Sequence, residues 1–180
     1  MSPETKQERL QSRLVPEMQE FRDNCQTLQL ATMDSNQLPT ASYVPFAFTE
    51  AGFFILISDI AAHGRNLKTN NILSIMLIED EVKAKHIFAR KRLSFEAQAN
   101  NIERDTDRWN EGVQALRTKF GEIIDNLSNL GDFRLYQIQP EKGRYVKGFG
   151  QAFDVNGFDM VDVVHLTEGH VKREKEQQSN

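Results

Sequence analysis

Leu10, Leu14, Met18 and Phe21 recur at intervals of four, four and three. That spacing draws a single apolar stripe along a helix, so the N-terminal segment reads as a helical arm that Pro16 kinks or restarts. From Thr27 the period changes to two. Residues 28–33 form a short strand candidate, and Asp34-Ser35-Asn36-Gln37 is a polar turn. Residues 39–48 alternate, with Ser42, Val44, Phe46 and Phe48 on one side and Ala41, Tyr43 and Ala47 on the other. After a turn at Glu50-Ala51-Gly52, the run Phe53-Phe54-Ile55-Leu56-Ile57 is apolar throughout, as expected of a strand buried on both faces. Residues 60–69 predict a short helix, 72–78 a strand and 92–99 another alternating strand. Residues 105–130 read as helix, with Trp109, Val113, Leu116 and Phe120 on one stripe and Gly121 as a break. Two closing strands are expected over 133–138 and 144–153, joined across Pro140. Strands dominate and do not alternate regularly with helices, which points to a small barrel with flanking helices rather than an α/β sheet.

Composition narrows the classes. A chain of 180 residues fits one domain with appended arms. The natural divisions are a helical arm over 1–24, a barrel over 25–156 and a C-terminal segment with a polar tail over 157–180. An apolar share of 39%, including 12 Phe, supplies a core, and a mean hydropathy of −0.55 fits a polar surface. No apolar run approaches the ~18 residues of a membrane span, and the charged start MSPETKQERLQSR lacks the apolar core of a signal peptide. Cys25 is the sole cysteine, so no internal disulfide forms, and a cytoplasmic location is expected. A net charge of −4 argues against a general nucleic-acid binder. Lys83, Lys85, Arg90, Lys91 and Arg92 nonetheless make one basic edge suited to anionic groups.

The chain carries no CxxC, HExxH, P-loop or GxSxG signature. Gly148-Phe149-Gly150 lacks the third glycine of a dinucleotide fingerprint and is expected inside a strand, where its glycines permit a bulge or a close backbone approach. His170 follows a glycine and precedes an almost wholly polar tail, so core packing does not explain it. Imidazole is the most frequent protein ligand for metals and serves haem iron as well. The alternatives are a ligand closing over a cofactor held elsewhere and a solvated tail histidine. His63, with Arg65 and Lys68 on a short helix, offers a phosphate or carboxylate pocket or simply a solvated face. His86 reads as surface charge and His165 as a packed histidine. Cys25 reads as a small buried side chain, with thiolate ligation as the alternative. Of Arg90 and Arg92, one is a candidate to point into a pocket. Asp132, at a helix-to-strand junction, is either a turn former or an acceptor for an imidazole N–H.

These segments together resemble the HutZ/HugZ haem-utilisation family, on its HutZ branch. The segments that carry the resemblance are KQERLQSRL (6–14), TLQLAT (27–32), IEDE (78–81), FARKRLSF (88–95), FGEIID (120–125), VKGFGQAF (146–153) and VDVVHLTEGH (161–170). They run collinearly over nearly the whole chain. The resemblance implies a homodimeric split β-barrel of the FMN-binding, pyridoxamine phosphate oxidase-like type. It implies haem as substrate and prosthetic group together, opened to a biliverdin-type product with release of iron. The family's axial histidine matches His170 in Glu168-Gly169-His170. The aspartate that accepts from it matches Asp132, contributed by the other subunit, and the arginine on the distal side matches Arg92. His63 is carried with them as a further haem-binding candidate.

The leading expectation is therefore a haem-degrading oxygenase dependent on oxygen or peroxide. It needs an electron donor, and a haem-delivery protein is a further candidate partner. The rivals are an FMN-dependent oxidoreductase of the pyridoxamine-phosphate-oxidase type and a non-catalytic haem carrier or store. An axial histidine favours haem, because flavin needs no such ligand.

Overall fold

A computed structural model describes residues 5–157 and 160–162. His165 and His170, with Glu168 and Gly169, lie outside the described residues.

Helix α1, Lys6–Asn24, starts at a capping box: Thr5 accepts from the Glu8 N–H while the Glu8 carboxylate accepts from the Thr5 N–H. The helix continues through Pro16 without a break. Its predicted stripe is buried in the chain's own core, Leu14 and Met18 fully and Leu10 and Phe21 in part. The arm is thus a packing element of the chain's own core.

Among the described residues nine strands follow: β1 Thr27–Met33, β2 Pro39–Pro45, β3 Ala47–Thr49, β4 Gly52–Ser58, β5 Ile72–Ile78, β6 Arg92–Ile102, β7 Phe133–Gly148, β8 Gln151–Asn156 and β9 Met160–Asp162. They form one antiparallel sheet in the order β2-β1-β5-β6-β7-β4-β3, with β8 on β7 and β9 on β8. Three more helices, α2 Ala62–Thr69, α3 Asp107–Phe120 and α4 Ile123–Ser128, pack around it.

β4 explains the two-layer core. Phe53, Ile55 and Ile57 point into the barrel with Leu28, Leu30, Ile75, Phe95 and Ile138. Phe54 and Leu56 point the other way, onto Trp109, Leu116 and Ile124 of α3 and α4. Six consecutive residues of this strand are buried, as its unbroken apolar run requires. Gly121 ends α3 with φ of 78°, a backbone state that favours glycine, and so separates α3 from α4.

The two closing strands differ from expectation. β7 runs unbroken through Pro140 for 16 residues. Its first part pairs with β4, its second part with β8, and its other edge with β6 along most of its length. Pro140 lacks an N–H to give a ladder, and the β6 register shifts between Phe95 and Ala97, opposite it. Gly148 ends β7 and Phe149-Gly150 is the hairpin turn to β8, with Gly150 at φ 65°, while the β7–β8 register shifts between Val146 and Gly148, as a bulge beside these glycines would give. The strand expected over 144–153 is therefore two strands.

Candidate functional site

Asp132 occupies the junction between α4 and β7, half-buried. Its backbone carbonyl accepts from the Asp59 N–H at 2.7 Å. Its carboxylate Oδ2 accepts from the Ser58 hydroxyl at 2.5 Å. Among the described residues Oδ1 takes no hydrogen bond, so one carboxylate oxygen is anchored and the other is available. A carboxylate oxygen left in this way is one of the acceptors to which a ligating imidazole donates its other N–H.

Beside it, Asp59 ties the end of β4 to its neighbours. Its Oδ2 lies 2.7 Å from Lys68 Nζ and 3.1 Å from Arg134 Nε. Burial pushes this carboxyl upward, but the hydrogen bonds and charges of Lys68 and Arg134 outweigh burial and hold it below the ordinary carboxylate range. Asp59 Oδ1 is buried and lacks a hydrogen-bond partner among the described residues. Both oxygens of Asp59 are thus buried or engaged, whereas Asp132 keeps one oxygen without a hydrogen bond among the described residues.

His63 lies in the first turn of α2, against β2. Its Nδ1 is 3.0 Å from the Ser42 hydroxyl, and burial pushes the imidazole downward, toward the neutral form. The cations near it do not converge on a common anion: Arg65 donates to the Ile60 carbonyl and Lys68 pairs with Asp59.

Arg92 stands at the opposite end of the barrel, as the first residue of β6, paired with Ile78 and Val146. Of the basic run around it, Arg90 is occupied by the Glu79 carbonyl and the Glu81 carboxylate. Lys91 lies 3.5 Å from Glu17 Oε1, which also accepts from the Tyr145 hydroxyl at 3.0 Å, while Glu17 Oε2 accepts from Lys147 at 2.5 Å. Burial pushes the Glu17 carboxyl upward, but the bonds from Lys147 and Tyr145 and the charges of Lys147 and Lys91 bring it below its ordinary range. Burial and the adjacent Glu17 push the Tyr145 phenol far upward, so it stays a proton donor. Arg92 makes a single long bond, 3.3 Å to the Arg90 carbonyl. Among the described residues of this run it is the half-buried arginine with donors left to offer. A cleft of about 590 Å³ opens alongside, lined by Phe21, Cys25, Thr27, Ile78, Asp80 and Lys91. Burial raises the Cys25 thiol above its ordinary value, which disfavours a thiolate ligand there.

Asp132 and Arg92 do not meet within one chain. β6 runs from Arg92, opposite Val146, to Ile102, opposite Leu135, and Asp132 precedes Leu135 by three residues. Ten residue steps at ~3.3 Å each put roughly 30 Å of strand between them. One porphyrin cannot span that distance. Sequence reasoning missed Ser58, Asp59 and the Glu17–Tyr145–Lys147 cluster. Each depends on partners far apart in the chain, and the advance signal for Ser58 and Asp59 was their place at the polar end of an apolar strand.

The chain matches the pyridoxamine 5'-phosphate oxidase family over residues 14–147. It is 55% identical over 172 residues to the heme oxygenase HutZ of Vibrio cholerae, covering 96% of this chain and 98% of that protein. A solved structure described as the heme storage protein HutZ from Vibrio cholerae superposes with a TM-score of 0.72 at 54% identity, covering 77% of this chain and 97% of that one. The crystal structure of Campylobacter jejuni ChuZ superposes with a TM-score of 0.82 at 34% identity, covering 91% of this chain and 68% of that one. The sheet with its branching at β7 is the split barrel of this fold.

Proposed function

Because this chain belongs to the HutZ group of haem-utilisation proteins within the pyridoxamine 5'-phosphate oxidase family, we propose that it is a haem oxygenase. Haem is its substrate, and the product is an opened, biliverdin-type tetrapyrrole with iron released. Haem supplies the iron at which oxygen is activated. The protein's own residues bind it, orient it and set the character of its axial ligand.

In this reading His170 supplies the nitrogen ligand. Asp132 of the partner subunit accepts from the other ring nitrogen and raises the ligand's basicity. Arg92, whose guanidinium makes one long bond to the Arg90 carbonyl and has donors left over, would face the haem's distal side, to steer charge or pair with a propionate. His63, held by the Ser42 hydroxyl and shifted toward the neutral form by burial, is a further donor or acceptor that this reading assigns to the haem edge. The observation that carries this reading is the Asp132 carboxylate, anchored through one oxygen by Ser58 with the other unoccupied among the described residues. The ~30 Å of strand between Asp132 and Arg92 supports a site shared by two chains.

A homodimer fits the surface. Leu38, Tyr43 and Ile72 are each more than 60% exposed. A groove of about 310 Å³, lined in part by Met33, Pro39 and Ile72, runs beside them. Exposed apolar side chains in one region favour burial against another molecule. An electron donor, and a protein that hands over haem, complete the expected partners.

Adding haem to the purified protein, followed by a reductant in air, tests the proposal. The expected result is a Soret band that then decays with release of iron. A Soret band that persists unchanged under reductant in air supports storage, the role named for the solved Vibrio cholerae protein. A tightly bound flavin that excludes haem would overturn the proposal altogether.

A further inference from the structure

We infer that Ser58 is a positioning residue for this reaction: it fixes the rotation of the Asp132 carboxylate so that Oδ1 is presented to the axial imidazole. The inference rests on the reading of Asp132 given above and extends it to a residue with no assigned role.

The geometry is built from both sides. The Ser58 hydroxyl donates to Asp132 Oδ2 at 2.5 Å. The Ser58 Oγ in turn accepts from the Ile60 N–H at 3.1 Å. With its lone pair engaged there, the hydroxyl hydrogen is directed to the carboxylate rather than left to rotate. The backbones are joined too, by the Asp59 N–H donating to the Asp132 carbonyl at 2.7 Å. Neither residue can therefore slide along the other without breaking a ladder contact. Gly64 of α2 packs so closely that a Cβ there would collide with the Ser58 carbonyl oxygen, which seats the helix directly on this residue.

A carboxylate rotates readily about its last bond, and an oxygen pair free to turn offers an imidazole N–H a smeared acceptor. A short bond to one oxygen removes that freedom. Hydrogen bonds to ionised groups are the stronger ones, so a serine suffices, and it leaves the second oxygen unshared. Asp59 cannot take over the role, because its Oδ1 is buried and its Oδ2 is held by Lys68 and Arg134.

The test is the iron–imidazole stretching frequency of the full-length ferrous protein loaded with haem, measured by resonance Raman scattering. Asp132→Asn is the reference variant and lowers the frequency by weakening the acceptor. Ser58→Ala is expected to lower it in the same direction by a smaller amount, and Ser58→Thr to restore it. Haem degradation under reductant in air should slow by roughly threefold to tenfold in Ser58→Ala, less than the ~10–100-fold expected when Asp132 itself is changed, because Ser58 acts only through it. Ser58→Cys keeps the volume with a weaker donor and should fall between; it serves if Ser58→Ala does not fold. A Ser58→Ala frequency equal to or above that of the unmodified protein, with Asp132→Asn lowered, would overturn the inference and leave Asp132 standing. If Asp132→Asn itself leaves the frequency unchanged, the reading of Asp132 falls and the inference with it.

Discussion

At the scale of single residues, two side chains should respond differently to removal. His170→Ala deletes the nitrogen ligand, so the Soret band on haem addition should be lost or shifted and haem affinity should drop sharply. Asp132→Asn leaves the ligand in place but weakens its partner, so haem should still bind. Degradation should slow by about 10–100-fold, the usual effect of losing such a partner at a metal site. His165→Ala is the control, because His165 is assigned to packing, and its coordination spectrum should match the unmodified protein. Absorption spectra and ascorbate-driven turnover of the three variants check this, and a lost spectrum in His165→Ala with an intact one in His170→Ala would exchange the two assignments. Asp132 was legible in the sequence only through the family resemblance, since Gly131-Asp132 alone also fits a plain turn. Ser58 was not legible. It looks like the polar end of an apolar strand, and its partner is 74 residues away.

Among the elements, α1 and the β4–α2 corner give the clearest expectations. Leu14 of α1 is fully buried against the barrel. Leu14→Ala should therefore cost about 2–5 kcal/mol, read from urea unfolding. A cost near zero would mean that the arm is not part of the core. The Asp59 carboxyl, held low by Lys68 and Arg134, makes a pH-dependent contribution of definite sign. A lowered folded-state pKa stabilises above the unfolded value of ~3.9 and is lost as pH falls through the lower folded value. Lys68 and Arg134 are themselves 45% and 40% exposed, so screening limits the contribution to about 1 kcal/mol. Asp59→Asn should be less stable than the unmodified protein by that amount at neutral pH, with the gap closing below about pH 4. Chemical unfolding at pH 7 and pH 3 checks the sign.

Elements with a regular pattern were readable from the chain alone: β5 at residues 72–78 and the doubly buried β4 both lie where the hydrophobic runs place them. β7 was not. Proline argues against a strand interior, and only the register shift in β6 opposite Pro140 shows how the ladder tolerates it. Two glycines around Phe149 suit a strand bulge and a hairpin turn equally well, and the pairing of β7 with β8 shows both, a turn at Phe149-Gly150 and a register shift between Val146 and Gly148.

On the whole-molecule scale the question is which chain supplies which half of the site. Arg92 and Asp132 mark opposite ends of one barrel, so a haem that touches both must bridge two copies. The proposed arrangement puts His170 of one protomer against Asp132 of its partner in a twofold dimer. Sedimentation should give a dimer, and a haem-competent monomer would contradict it. The most direct measurement is haem degradation by a mixed dimer co-expressed from an Asp132→Leu chain and a His170→Ala chain. Each variant alone lacks part of both sites. In the mixed dimer, one site regains an intact His170 from the first chain and an intact Asp132 from the second. The account predicts that the separate variants degrade haem slowly or not at all, and that a randomly assembled mixture recovers about one quarter of the unmodified rate, from half the dimers carrying one of two sites. A mixture no more active than the separate variants would contradict it.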